Sequence, residues 1–215
     1  MKKDGKLVVV SGFSGSGKGS LIRKLIEEYG DYVLSVSMTT RAPRRGERHG
    51  REYFFVTRAE FEEAVEAGAL LEHAEFVGNC YGTPRAYVEE ELQKGNHVML
   101  EIDVQGGMQI RRTYPDAFLL FLVPPSAAIL EERLRGRGTE TEEQIADRLR
   151  RALEETAYMS AYDMVIVNDD LDACAARTDA ILRGEESAPA PDETLIARFR
   201  KELIDRLQGQ DETLP

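Results

Sequence analysis

Residues 7–20 read LVVVSGFSGSGKGS, and the reading of this stretch sets the fold class. Leu7–Val10 is a continuous apolar run, the pattern of a parallel strand buried on both faces. It breaks into Ser11 and a loop containing Gly12, Gly15, Gly17 and Gly19, and an amphipathic run begins at Leu21. Strand, glycine loop and helix N-terminus in that order make a phosphate cradle, because glycines let backbone N–H groups turn onto an anion without Cβ clashes. Ser14, Gly15, Ser16, Gly17, Gly19 and Ser20 are the candidate cradle, and Lys18 is placed to reach the β- and γ-phosphates of a nucleotide. In the usual motif a Ser or Thr follows the Lys and touches Mg²⁺. Here that position is Gly19, with Ser20 next.

The 215 residues suffice for one well-buried α/β core with small insertions. A net charge of −11 argues against a general nucleic-acid surface, which needs a basic stripe. Two cysteines, Cys80 and Cys174, are too few for a disulfide scaffold and fit a reducing compartment. No apolar stretch is long enough for export or for a membrane span, so a cytoplasmic protein is expected, with no membrane partner.

Further along, Tyr32–Ser37 predicts a second strand, which runs into a segment carrying Arg41, Arg44, Arg45, Arg48 and Arg51. Beside the hydroxyls of Ser37, Thr39 and Thr40, and with Tyr53 beyond, this basic cluster points to an anion site. Thr57 and Glu60 predict a capping box for a helix over 58–67. Residues 69–83 alternate about Gly78-Asn79 as a hairpin or bend, and Thr83-Pro84 predicts the N-cap and first turn of a helix ending at Gly95. His97–Asp103 returns to the core, with Glu101 and Asp103 near the strand end where open parallel sheets put ligands. Ala117–Val123 is the best central strand. A helix from Ala127 to Arg135, an arginine-rich Gly136–Gly138 link and a second helix capped by Thr141 and Gln144 outline a mobile lid. Asp163–Val167 is a further strand, Asp170 caps a helix to about Arg183, and a polar linker precedes an amphipathic helix over 195–207.

A phosphate loop and two arginine clusters suit two anions brought together: ATP at the loop and a second phosphorylated molecule near Arg41, Arg44 and Tyr53. A phosphate acceptor already has an ionised oxygen, so no strong general base is needed, and none stands out. His49, His73 and His97 lack ligand spacing.

The pieces SGFSGSGKGS, SVSMTTRAPRRGE, GREYFFV, LLEHAEFVGNCYGTPR, LEIDVQGG, RLRGRGTETEEQIADRL and IVNDDL follow one another in the order found in guanylate kinases. Over roughly residues 6–183 the chain resembles that family of P-loop nucleoside-monophosphate kinases. The resemblance implies transfer of the γ-phosphoryl group of ATP to GMP, and to dGMP, giving GDP and ADP, with Mg²⁺ as cofactor. It implies an α/β fold: a central, mostly parallel sheet flanked by helices, with a small GMP-binding lobe and a lid that close over both substrates. The core is expected at about 5–34, 95–126 and 160–184, the lobe at about 35–94, the lid at about 127–159, and a linker and terminal helix at 185–215.

By resemblance, Ser37, Glu72, Thr83 and Asp103 meet the guanine base, while Arg41, Arg44, Tyr53 and Tyr81 hold the GMP phosphate. Lys18 and the Gly15–Ser20 backbone hold the ATP phosphates, Arg137 and Arg148 close on them, Asn168 lies near the adenine, and Glu101 belongs to the magnesium environment. Two other readings stay open: a catalytically inactive interaction domain of the same fold, and a kinase of another small phosphorylated metabolite. The partners expected are GMP and ATP, with a homo-oligomer left open.

Overall fold

The structure, a computed structural model, describes residues 5–76, 78–136, 138 and 140–211. The first strand, β1 (Leu7–Gly12), is buried from Leu7 to Ser11, as the unbroken apolar run requires. It feeds a loop and then α1 (Lys18–Tyr29), which buries Leu21, Ile22 and Leu25 on one stripe. The fold is α/β, with a mostly parallel central sheet flanked by helices. Two compact units can be separated: one formed by residues up to Val9 with Ile26–Phe118, the other by Val10–Leu25 with residues from Leu119 onward.

In the first unit, β2 (Tyr32–Leu34) stops three residues earlier than expected, and β3 (Ser37–Thr39) begins a different sheet. The Ser35 N–H donates to the Met99 carbonyl at 2.9 Å and ends the pairing on that side; from there the chain crosses to its new neighbours. After β4 (Tyr53–Phe55), α2 (Arg58–Glu66) starts with the expected capping box, Thr57 and Glu60 each satisfying the other's backbone. β5 (Leu70–Phe76) and β6 (Asn79–Pro84) form the antiparallel hairpin. Then α3 (Arg85–Gln93) leads to β7 (His97–Glu101), which pairs with β2 in parallel.

The small sheet runs β4-β3-β6-β5. Its underside is the cluster Phe61, Leu70 and Cys80 with Met38, Val56, Ala64 and Val65 packed against it. Two sequence expectations are corrected here. Thr83 lies in β6 and caps nothing, because its hydroxyl is turned to Glu72; α3 starts from Pro84 without a side-chain cap. Asp103 is not strand: it is the N-cap of α4 (Val104–Thr113), a helix the sequence reading passed over, accepting from the N–H groups of Gln105 and Gly106.

In the second unit, β8 (Phe118–Val123) is buried from Leu119 onward. It is followed by α5 (Ala127–Arg135), capped by Ser126, and α6 (Glu142–Glu155), whose Thr141–Gln144 capping box is present. β9 (Met164–Val167) pairs with β8 in parallel, and α7 (Leu171–Arg183) is capped by Asp170. The last helix, α8 (Glu193–Asp211), packs on α5, α6 and the 3-10 turn Thr156–Ala161. Phe199 and Leu203 are fully buried there. Burying two such side chains contributes about 3–6 kcal/mol. Truncation after Gly184 is therefore expected to lower the melting temperature by on the order of 10 °C. An unchanged thermal melt would mean that α8 adds nothing to the core.

Candidate functional site

The phosphate loop lies in the second unit. Gly17 has φ +98°, and a Cβ there would stand 2.4 Å from Asn168 Nδ2, so this position needs glycine twice over. Lys18, first residue of α1, folds back: its Nζ donates to the carbonyls of Gly12 at 2.8 Å and Phe13 at 3.2 Å. Asn168 Nδ2 donates to the Ser16 carbonyl at 2.9 Å, and Arg133 donates to the carbonyls of Ser16 (3.3 Å) and Asn168 (3.1 Å). These bonds give the carbonyls of Gly12, Phe13 and Ser16 side-chain partners and hold the loop's backbone in one shape.

Arg148, on α6, donates from Nη1 to Ser14 Oγ at 2.7 Å and pairs through Nη2 with Glu140 at 2.6 Å. A cleft of about 360 Å³ opens beside the loop, lined by Gly15, Gly17, Ser20, Arg133, Asn168, Asp169 and Leu171. Arg137 lies outside the described residues. Asn168, expected near the adenine, lines the cleft, and its amide nitrogen braces the loop. Sequence reasoning missed Arg133 as a brace; it was one arginine among many in a run read as a lid.

Ser20 Oγ and the Asp169 carboxylate are hard oxygen donors, which suit Mg²⁺. Among the described residues no cluster of three or more His, Cys, Asp or Glu could hold a metal ion. A magnesium ion that draws its remaining ligands from phosphates and water fits such a set.

The other expected residues gather in the first unit, and strand register explains how. Ser37 faces Tyr53 across β3 and β4, and Thr39 faces Tyr81 across β3 and β6. With a period of two, Ser37, Tyr53, Tyr81 and Thr83 share the face opposite the Phe61 cluster. The Tyr53 and Tyr81 rings meet edge to face at 6.1 Å, and the Arg41 guanidinium lies 5.4 Å from the Tyr53 ring. Burial pushes the Tyr53 phenol above its ordinary range, keeping it a neutral donor at physiological pH.

Arg41 is held by Glu47, whose two carboxylate oxygens each accept from Nη2 at 3.0 Å; Glu47 also accepts from the Arg44 N–H at 2.7 Å. The Arg41 guanidinium keeps the Glu47 carboxyl below its ordinary range. Glu47 therefore stands where an anionic group meets Arg41 and the Arg44 backbone, and no sequence signal singled it out. The Arg44 side chain is exposed.

Glu72 is the buried carboxyl on β5, 6 % exposed. Its Oε1 accepts from the Thr83 hydroxyl at 2.6 Å. Burial, reinforced by the Asp103 charge, pushes its carboxyl up to about 7. Gly106 closes one side: a Cβ there would come within 2.9 Å of Glu72 Oε2. Glu101 is exposed at the end of β7.

Three comparisons bear on this arrangement. A family model described as guanylate kinase matches residues 4–185. The chain is 48% identical over 207 residues to a guanylate kinase of Streptococcus thermophilus, covering 96% of this chain and 98% of that protein. It is 54% identical over 172 residues to a guanylate kinase of Synechococcus sp., covering 80% of this chain and 92% of that one. Among solved structures, a crystal structure of guanylate kinase from Anaplasma phagocytophilum aligns with a TM-score of 0.68 at 36% identity, covering 96% of both chains.

Proposed function

The chain belongs to the guanylate kinase family, and from that membership we propose how its own residues carry the family's reaction. It transfers the γ-phosphoryl group of ATP to GMP, giving ADP and GDP. Each unit takes one nucleotide in this reading. The second unit binds ATP, with its phosphates on the Gly15–Ser20 N–H groups at the start of α1 and its remainder along the Asn168 cleft. The first unit binds GMP, and dGMP as well. Its phosphate goes to Arg41, Arg44, Tyr53 and Tyr81, and its base to Ser37, Glu72, Thr83 and Asp103.

Phosphoryl transfer asks for alignment and charge stabilisation more than for a covalent nucleophile. Lys18 exchanges two loop carbonyls for phosphate oxygens, and Arg148, with Arg137, neutralises charge on the group in flight. Arg41 exchanges the Glu47 carboxylate for the GMP phosphate, so its cation is held in place before the acceptor arrives. Mg²⁺ would supply further positive charge when bound, with the Ser20 hydroxyl the ligand that the second unit would offer it; Glu101 is the residue that the family resemblance puts in the magnesium environment. The reaction is assigned to the cytoplasm, where the buried free thiols Cys80 and Cys174 stay reduced; among the described residues no helix is long and apolar enough to cross a membrane.

The observation that carries the acceptor's identity is the buried Glu72 carboxyl beside the Thr83 hydroxyl. Guanine presents a ring N1–H and an exocyclic amine on one edge, both donors that a carboxylate accepts; adenine presents an unprotonated N1 there. An intact phosphate loop and an acceptor pocket of this chemistry favour an active guanylate kinase over an inactive interaction domain. A coupled ADP-release assay across GMP, dGMP, AMP, CMP and UMP tests it, with GMP and dGMP expected as the substrates. Equal rates with AMP would overturn it. Arg148→Ala is expected to lower kcat by about 10–100-fold while changing the KM for GMP less than threefold, because a cation on the transferring group acts mainly in the transition state. Steady-state kinetics at saturating ATP checks this.

A further inference from the structure

The phosphate loop begins with a residue whose side chain lies in the core. Phe13 is fully buried, and its carbonyl accepts two of the loop's internal hydrogen bonds, from Ser16 N–H at 3.0 Å and from Lys18 Nζ at 3.2 Å. Whatever fixes the Phe13 ring therefore fixes the loop's backbone. Two rings do so. Phe121 of β8 meets it edge to face at 5.3 Å, and Phe121 is itself held edge to face by Tyr162 at 5.2 Å. On another side, Phe199 of α8 lies 5.7 Å away at an interplanar angle of 49°.

Phe199 is also fully buried, and α8 is fastened to the helices that carry the loop's arginines. Glu202 Oε2 accepts from the Ala127 N–H at the start of α5 at 2.8 Å, and Arg206 pairs with Glu131 further along α5. Arg133 lies on α5 and Arg148 on α6, and both donate to the loop. The terminal helix thus reaches the loop by two routes, through the Phe13 ring and through the helices that bear Arg133 and Arg148.

We infer that α8 is a brace for the ATP phosphate cradle and that Phe199 is a positioning residue for ATP, acting through Phe13. This rests on the reading of Gly15–Ser20 and Lys18 as the ATP site. Removing the Phe199 ring leaves a void against Phe13, and a ring with a free side shifts toward it. A displacement of a few tenths of an ångström in the Phe13 carbonyl is passed to Lys18 and to the Ser16 N–H. Misplacement of an aligned phosphate by about 1 Å can cost as much as 10²-fold in rate.

The test uses the full chain and compares Phe199→Ala, Phe199→Leu and Leu203→Ala. Leu203 is equally buried, one turn further along the same helix, and serves as the control for lost packing alone. Phe199→Ala is expected to raise the KM for ATP by about tenfold and to weaken ATP binding in calorimetry equally, with the KM for GMP within twofold of wild type. Leu203→Ala is expected to lower the melting temperature by a similar amount and leave the KM for ATP within twofold. Phe199→Leu keeps most of the volume and is expected to raise the KM for ATP by about threefold; if Phe199→Ala does not fold, this variant decides. An unchanged KM for ATP in whichever Phe199 variant folds, or an equal rise in Leu203→Ala, overturns the inference. Lys18→Ala run in parallel separates the two levels: turnover unchanged there would remove the ATP site itself, whereas its loss beside silent Phe199 variants would remove only the brace.

Discussion

Lys18→Ala is expected to lower kcat/KM, with ATP as donor, by about 10²–10³-fold while leaving the protein folded. Lys18 is the only cation in residues 12–20. Its Nζ donates to the Gly12 and Phe13 carbonyls, neutral acceptors that a phosphate oxygen readily displaces. As the γ-phosphoryl group leaves, negative charge builds on the oxygen it leaves behind, and a fixed cation stabilises that charge more than it stabilises ground-state ATP. The fold loses little, since two side-chain bonds to loop carbonyls contribute about 1 kcal/mol each against a total of about 5–15 kcal/mol. Steady-state kinetics at saturating GMP, with circular dichroism as the folding control, gives the answer. A loss of tenfold or less would remove Lys18 from the reacting phosphate.

The phosphate loop was legible in the sequence because its demands are local. A buried strand, glycines free of Cβ and a lysine at the helix start are all written within residues 7–20, and the structure builds them there. The caps at Thr57, Thr141 and Asp170 were legible for the same reason. What failed was local chemistry captured by a distant partner. Thr83-Pro84 has the form of a helix start, but a buried carboxyl eleven residues earlier takes the hydroxyl, and a buried polar group's need for a partner outweighs a cap. Asp103 has the form of a strand end, yet it caps α4, with two N–H groups of that helix donating to its Oδ1, and the glycines at 106 and 107 hid that helix. Gly106 carries information of another kind: it is small so that Glu72 has room. Arg133 and Glu47 were invisible because a charge run does not say which member is paired.

Glu72→Gln is expected to cost GMP tenfold or more in kcat/KM, on the scale of a hydrogen bond to a charged group, and to leave the KM for ATP almost unchanged. The substitution keeps size and the acceptor that meets the Thr83 hydroxyl, and replaces the second carboxylate oxygen by a donor that faces guanine's own donors. AMP, whose N1 accepts, should lose less or gain, so the ratio of GMP to AMP activity narrows. Stability is expected to move the other way. Burial holds the Glu72 carboxyl near 7 in the folded protein, above the ordinary 4.5, so the protonated form is the one the empty fold favours. Its contribution to stability is fully present below about 4.5 and is lost as pH rises through about 7. Without nucleotide at pH 8, Glu72→Gln should therefore be more stable than wild type, by on the order of 1–3 kcal/mol, and the gap should close toward pH 5. GMP reverses the balance, because two N–H donors favour the carboxylate, so wild-type affinity for GMP should fall as pH drops below 7 while that of the variant stays flat. Melting curves at pH 5 and 8, with and without GMP, and parallel assays of GMP and AMP decide the matter. A GMP-to-AMP ratio that Glu72→Gln leaves untouched would remove Glu72 from the base site, and an apo variant no more stable than wild type at pH 8 would show that the wild-type carboxylate is already paid for by its neighbours.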